Sequence, residues 1–344
     1  MQKRIYLDWN ASSPLSKNAF LAMKSTFANF ANPSSSHYEG RAAKKAIEKA
    51  RDKIAEILGL NTRYNIIFTS GATESAAMVL HHKNLNCAPI EHECVKKWSC
   101  SNLVVNENGK VNIDDPSNST LQAANSETGI IQQIPNGIYF TDAAQAFGKF
   151  FTDFSKFDFQ FSSISSHKIG GPKGIGALIV KDINNLNSFI KGGGQEFGKR
   201  SGTENLMNIQ GFAKSIEDRL FEINSGKWDE IKSNRDYLEE MILNESYETS
   251  IVGRKVNRLP NTSFFITPGW KNDQQVAILD LEGFSVSSGM ACSSGKKIKN
   301  NSLLSMGYSS SEADCAIRVS IGETTKKKDL EKFVSVWSSY NKKR

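Results

Sequence analysis

The sequence predicts an α/β domain on a largely parallel central sheet, followed by a smaller α+β portion. Two observations carry this reading. Short apolar runs alternate with amphipathic helical patterns through the first two-thirds of the chain. After residues 244–250 the pattern changes to short strands with helices gathered near the end.

Taken in order, residues 41–58 place Ala42, Ala46, Ile47, Ala50, Ile54 and Ile57 at helical spacing among lysines and glutamates, a strong amphipathic helix. A short strand at 64–69 and a helix at 73–81 follow. Strands are expected at 138–141, 158–164 and 177–180, where apolar residues cluster between turn signals. Residues 192–202 are too rich in glycine and charge to pack as a helix and read as a loop. Helical spacing returns at 206–224 and 228–243. Strands at 250–252, 261–265 and 284–287 then precede helices at 299–306 and 326–341. The expected units are a large one over 13–248 and a smaller one formed by 1–12 and 249–344.

Bulk properties exclude several classes. The 344 residues are 39% hydrophobic and 23% charged, as in a globular protein. No apolar run approaches the roughly 20 residues of a membrane span. The first residues lack an apolar signal core, which predicts a cytoplasmic location. A net charge of +7 invites a nucleic-acid reading. The lysines are dispersed, however, and the clusters at 296–299, 326–328 and 342–344 carry no interleaved aromatics. A solvated basic face, or attraction to an acidic protein, explains them better. Five cysteines without a C-x-x-C pair argue against a disulfide framework and against structural zinc, so no metal is expected. Cys87, Cys94, Cys100 and Cys315 are read as buried thiols.

The most informative stretch is 161–176. There a strand delivers Ser165-Ser166-His167-Lys168, and a glycine-rich segment leads into the next strand. An amine in a crowded pocket loses its proton readily and can capture a carbonyl as a Schiff base. Three further features accompany it. Thr69-Ser70-Gly71-Ala72-Thr73-Glu74 joins a strand to a helix, where small residues let amides and the Thr73 hydroxyl approach an anion. Asp142 ends a strand, where a carboxylate can keep a pyridinium nitrogen protonated. His92 offers an imidazole for stacking on an aromatic ring. Anion cradle, stacking group, aspartate and strand-end lysine together describe a pyridoxal phosphate site. Cys292, in Ser287-Ser288-Gly289-Met290-Ala291-Cys292-Ser293-Ser294-Gly295, sits among small residues with Lys296, Lys297 and Lys299 nearby. That setting suits a nucleophilic thiolate better than a packing thiol.

These motifs resemble the NifS/IscS-type cysteine desulfurases of the class V aminotransferase group almost end to end. Tyr6-Leu7-Asp8-Trp9-Asn10-Ala11, Asn32-Pro33-Ser34-Ser35-Ser36-His37, Thr69–Glu74 and Asn125-Ser126-Glu127-Thr128-Gly129 resemble family motifs. So do Asp142-Ala143-Ala144-Gln145, Ser165–Lys168, Arg200-Ser201-Gly202-Thr203-Glu204-Asn205 and the loop around Cys292. The spacing from Cys292 to Gly307 is similar to the longer-loop subgroup, not to the SufS type.

The resemblance implies an aspartate-aminotransferase-like pyridoxal-phosphate transferase fold and removal of sulfur from L-cysteine. The products would be L-alanine and a persulfide on Cys292. It further implies that Lys168 holds the cofactor covalently, Asp142 pairs with its ring nitrogen, His92 stacks on the ring and Gln145 bonds its phenolic oxygen. Ala72, Thr73, Ser165 and His167 would hold the phosphate, with Thr203 reaching it in a neighbouring subunit of a homodimer. Asn32, Asn125 and Arg318 would grip the substrate carboxylate. The sulfur acceptor would be an iron–sulfur scaffold, a relay protein or a tRNA-thiolation enzyme. The alternatives are another class V pyridoxal enzyme, namely an aminotransferase or selenocysteine lyase, or a non-catalytic binding module. Gln195, Phe197 and Glu323 depart from common family residues.

Overall fold

The computed structural model describes residues 4–289 and 301–343. The chain opens with β1 (Ile5–Tyr6), α1 (Lys17–Lys24) and the long helix α2 (Tyr38–Ile57), then β2 (Asn65–Thr69) and α3 (Ala72–Leu80). Short elements follow: β3 (Asn86–Cys87), α4 (Glu93–Lys96), β4 (Cys100–Ser101) and β5 (Thr120–Gln122). Then come β6 (Ile138–Asp142), β7 (Phe159–Ser165), β8 (Gly176–Val180), α5 (Leu206–Asn224) and α6 (Lys227–Glu245). The last part holds β9 (Ser250–Ile251), β10 (Thr262–Ile266), α7 (Asn272–Leu281), β11 (Phe284–Ser285), α8 (Asn301–Ser305), α9 (Ser310–Ala313), β12 (Ala316–Ser320) and α10 (Lys327–Asn341).

The expected strands and helices appear with ends shifted by a few residues, and α5 matches its predicted span. Elements without a counterpart among those expected include the helices α1, α4, α7 and α9 and the strands β3, β4, β5 and β12. The expected helix at 299–306 begins outside the described residues.

A five-stranded mixed sheet in the order β2-β8-β7-β6-β5 forms the centre, and β8 alone runs against the others. Its strands β2 and β8 carry continuous apolar runs, Ile66–Phe68 and Ala177–Val180, as strands covered on both faces do. One face packs α2 and α5 through Ile47, Ile54, Phe159, Ile209 and Phe212, all buried. The other packs α3 through Ala76, Val79 and Leu80 against Phe140, Phe161 and Leu178. A second sheet, β12-β10-β9, is antiparallel. Its core joins Phe265, Ile317 and Val319 to Phe333 and Trp337 of α10, and to Trp228, Ile231, Leu238 and Ile242 of α6. The N-terminal segment crosses into this region: β1 pairs with β11, and Asp8 bridges Ser320. Among the described residues, no helix is long and apolar enough to cross a membrane. Cys87, Cys94 and Cys315 are buried as expected, but Cys100 is exposed, because it lies on the two-residue strand β4 outside the core.

The glycine-rich loop at 192–202 is held by one buried side chain. Glu196 accepts from Arg51 Nη1 at 2.8 Å, from Arg51 Nη2 at 2.9 Å and from the Phe68 amide at 2.8 Å. Phe197, half-exposed, lies over the Arg51 guanidinium 5.1 Å from its ring centre. Glu323, another departure from common family residues, approaches Arg219 at 3.5 Å.

Candidate active site

Strand register gathers the site at one edge of the central sheet. Thr69 at the end of β2 and Ser165 at the end of β7 both pair with Gly176 at the start of β8. On the next strand Asp142 ends β6 opposite Ser163. Carboxyl ends of parallel strands are where α/β sheets open a crevice. Here the crevice is a cavity of about 840 Å³ whose walls include Ala72, Thr73, His92, Asp142, Gln145, Ser165, His167, Lys168 and Arg318.

The turn from β2 into α3 comes close to β8 because two glycines lie back to back. A Cβ on Gly176 would fall 2.8 Å from the Gly71 Cα and 2.7 Å from the Ile164 carbonyl oxygen. Gly71 itself has φ +154°, and a Cβ there would meet only Ser165 Oγ at 4.0 Å, so its other side is open. Ala72 and Thr73 begin the helix, and their amides have no intrahelical acceptor. Glu74 braces the turn by accepting from the Ser70 amide at 2.6 Å and from Arg200 Nε at 2.7 Å. The Arg200–Asn205 motif is therefore tied to the start of α3.

Lys168 ends a short turn after β7, and its Nζ donates to the main-chain oxygens of Asn10 at 2.7 Å and Ala11 at 3.0 Å. Burial, reinforced by the Arg318 charge, pulls this amine down to about 8. Burial and the Lys168 charge hold the His167 imidazole down at about 4, so it is neutral near pH 7. His167 Nδ1 lies 3.2 Å from Ser12 Oγ. Asp142 is buried. Its Oδ1 accepts from the Ala144 amide at 2.9 Å and from Ser163 Oγ at 3.3 Å, while Oδ2 takes no hydrogen bond from a described residue. His92 caps α4, with Nδ1 accepting from the Cys94 amide at 3.2 Å, which leaves the proton on Nε2.

Arg318 lines the same cavity. Its Nη2 meets Asp8 Oδ1 at 2.6 Å and its Nη1 the Ser126 carbonyl at 2.8 Å, while Nε is buried without a partner. Asn125 lies behind the wall. Its amide nitrogen donates to the Ile90 carbonyl at 3.1 Å, and its oxygen accepts from the Glu127 and Thr128 amides. Asn32 and Thr203 are exposed and outside the cavity lining of a single chain. Cys292 lies outside the described residues.

Sequence reasoning missed two carboxyls in the cavity. Burial raises Glu91 to about 8 and Glu127 to about 7, and each has one buried oxygen without a partner. Glu91 sits beside His92 in the sequence, a neighbour that could have flagged it. The structure also brings in Asn10 and Lys149, whose parts depend on contacts across more than a hundred residues.

Residues 5–95 and 110–333 match the model of the aminotransferase class-V family. A cysteine desulfurase IscS of Dictyoglomus turgidum is 33% identical, across 98% of this chain and 94% of that protein. The chain belongs to the class V aminotransferases, on their NifS/IscS-type cysteine desulfurase branch. A NifS-like protein of Rickettsia africae superposes with a TM-score of 0.87 at 29% identity, over 98% of this chain and 99% of that one. A structure described as SspA in complex with cysteine superposes with a TM-score of 0.74 at 29% identity, over 92% and 98% of the two chains.

Enzymes of this family depend on pyridoxal phosphate, and the cavity fits that group. It offers an amine drawn toward its free form and a buried carboxylate with an oxygen to spare. It also has two helix-start amides beside a glycine whose outer side is open.

Proposed function

We propose that the protein removes sulfur from L-cysteine to give L-alanine, using pyridoxal phosphate held by Lys168. The observation that carries the reading is the convergence of Lys168, Asp142 and Arg318 on one cavity. When bound, the cofactor acts as an electron sink that stabilises negative charge at the substrate Cα.

The chain's own residues account for the remainder. Asp142 Oδ2 would keep the ring nitrogen protonated, and His92 would cover one ring face. Ala72, Thr73, Ser165 and His167 would hold the phosphate, with Thr203 of a second subunit completing that site in a homodimer. Arg318 would grip the substrate carboxylate, since its guanidinium keeps an unpartnered Nε and matches a carboxylate's fork. Asn125 would steady that wall through the turn it caps, and Asn32, exposed and outside the cavity lining of one chain, would join Arg318 at the carboxylate. Lys168, once displaced, would move the Cα proton. The Cys292 thiolate then forms a bond to the substrate sulfur as the Cβ–S bond breaks. The electron pair stays with carbon, which takes up a proton and leaves as alanine. The persulfide passes to an acceptor such as an iron–sulfur scaffold, a relay protein or a tRNA-thiolation enzyme.

Residues 13–248 would form the cofactor-binding unit, and 1–12 with 249–344 the smaller unit, against whose core α6 packs. Incubating wild type, Lys168→Ala and Cys292→Ala proteins with L-cysteine and quantifying alanine tests the reading. Wild type should produce alanine and both variants should not. Alanine from Lys168→Ala at the wild-type rate would refute it.

A further inference from the structure

Behind the cavity wall, Lys149 is 3% exposed, and among the described residues no carboxylate lies within ion-pairing distance of its amine. Its Nζ donates instead to Gln145 Oε1 at 2.7 Å and Asn10 Oδ1 at 2.9 Å. Burial and the nearby Lys168 charge push this amine well below its ordinary range, with Arg219 and Arg318 adding to the effect. An apolar side chain would fill this place at lower desolvation cost. Lys149 must be understood through its two hydrogen bonds.

Charged or neutral, a lysine amine donates to both neighbours. The end of the Gln145 amide turned toward Lys149 is therefore its oxygen, and the end turned away is its NH₂. One of those hydrogens goes to the Asn10 carbonyl at 2.9 Å, the same oxygen that accepts from Lys168, and the other is left for the cavity. Asn10 is oriented in the same way. Its Oδ1 also accepts from Asn261 Nδ2 at 3.1 Å, and its Nδ2 donates to Thr262 Oγ1 at 2.8 Å. Remove Lys149, and the Gln145 amide loses the donor on its oxygen and is oriented by the Asn10 carbonyl alone.

We propose that Lys149 is a positioning residue that locks the Gln145 amide with its nitrogen toward the cavity, so that the ring oxygen of bound pyridoxal phosphate meets a donor and not a lone pair. This rests on the cofactor reading above. The test is the pH midpoint of the visible absorbance of the loaded protein in Lys149→Met, Gln145→Leu, the double variant and Lys149→Arg.

A ring oxygen deprived of its donor holds the proton of the Lys168 linkage more tightly, so Lys149→Met should raise the midpoint by roughly 1 pH unit. Gln145→Leu should raise it similarly, and the double variant should exceed Gln145→Leu by less than about 0.2 unit, because Lys149 acts through Gln145. Lys149→Arg keeps a donor and should stay within about 0.2 unit of wild type. An unmoved midpoint in folded Lys149→Met, or additive shifts in the double variant, overturns the proposal. If Lys149→Met does not fold, a Lys149→Arg shift as large as that of Gln145→Leu overturns it. A wild type that gains no visible band speaks against the cofactor reading. A normal band with unmoved midpoints speaks against Lys149 alone.

Discussion

Asp142 and Ser163 face each other across two adjacent parallel strands, and the Ser163 hydroxyl donates to Asp142 Oδ1 at 3.3 Å. With the Ala144 amide on that same oxygen, the carboxylate is fixed so that Oδ2 is free for the cavity. Asp142→Asn keeps the shape and removes the charge. It should leave the melting temperature nearly unchanged while alanine formation falls by about 10²–10³-fold, the scale on which one preorganised electrostatic group acts. Parallel thermal melts and alanine assays check this.

Lys168 has a folded-state value of about 8 against an ordinary value of 10.5. Between those two values the unfolded chain holds a proton that the folded chain has released, so folding becomes more favourable as pH rises through this window. Below about pH 8 the burial cost is present in full. In cofactor-free protein, Lys168→Met should therefore add on the order of 1–3 kcal/mol at pH 7, with the gain shrinking from pH 8 to 10.5. Urea unfolding at pH 7, 8.5 and 10 measures it.

Gly176 keeps the turn from β2 into α3 in place by having no side chain. Gly176→Ala would push a methyl against the Gly71 Cα and the Ile164 carbonyl, both backbone atoms that cannot swing aside. Stability should drop by about 1–3 kcal/mol. The displaced turn should also weaken retention of pyridoxal phosphate, which dialysis followed by fluorescence of the released cofactor would detect.

Glu196→Ala removes the carboxylate that holds the glycine-rich loop, leaving Arg51 and the Phe68 amide buried without it. Glu48 still meets Arg51 at 3.0 Å, so the expected loss is about 2–4 kcal/mol, toward the lower side for a broken buried pair. Denaturant unfolding gives the value.

Much of this architecture is legible in the sequence where one signal dominates. The helical spacing of Leu206, Ile209, Phe212 and Ile216 predicts α5, and the phenylalanines at 159 and 161 mark β7. The motif residues around Lys168 and Asp142 are readable because small residues at strand ends have few other uses. Elements such as β3 and β4 are two residues long, too short for any periodicity, and they exist because neighbouring chain segments pair with them. Lys149 carries no local signal either, and the motif around Asn10 does not reveal what Asn10 bonds. Their parts come from bonds between positions 10, 145, 149 and 168, which only the folded chain assembles. Asn125 illustrates the opposite case. Its motif points to substrate, whereas its side chain caps a turn behind the wall.

The proposed chemistry depends on a thiol at position 292 taking the sulfur from a substrate activated at Lys168. A single-turnover mixing experiment, with alanine quantified and the Cys292 peptide weighed by mass spectrometry, tests that directly. One added sulfur atom on Cys292 for each alanine formed is the predicted result. Alanine appearing at full yield with position 292 unmodified, or with Cys292→Ala as active as wild type, would contradict it.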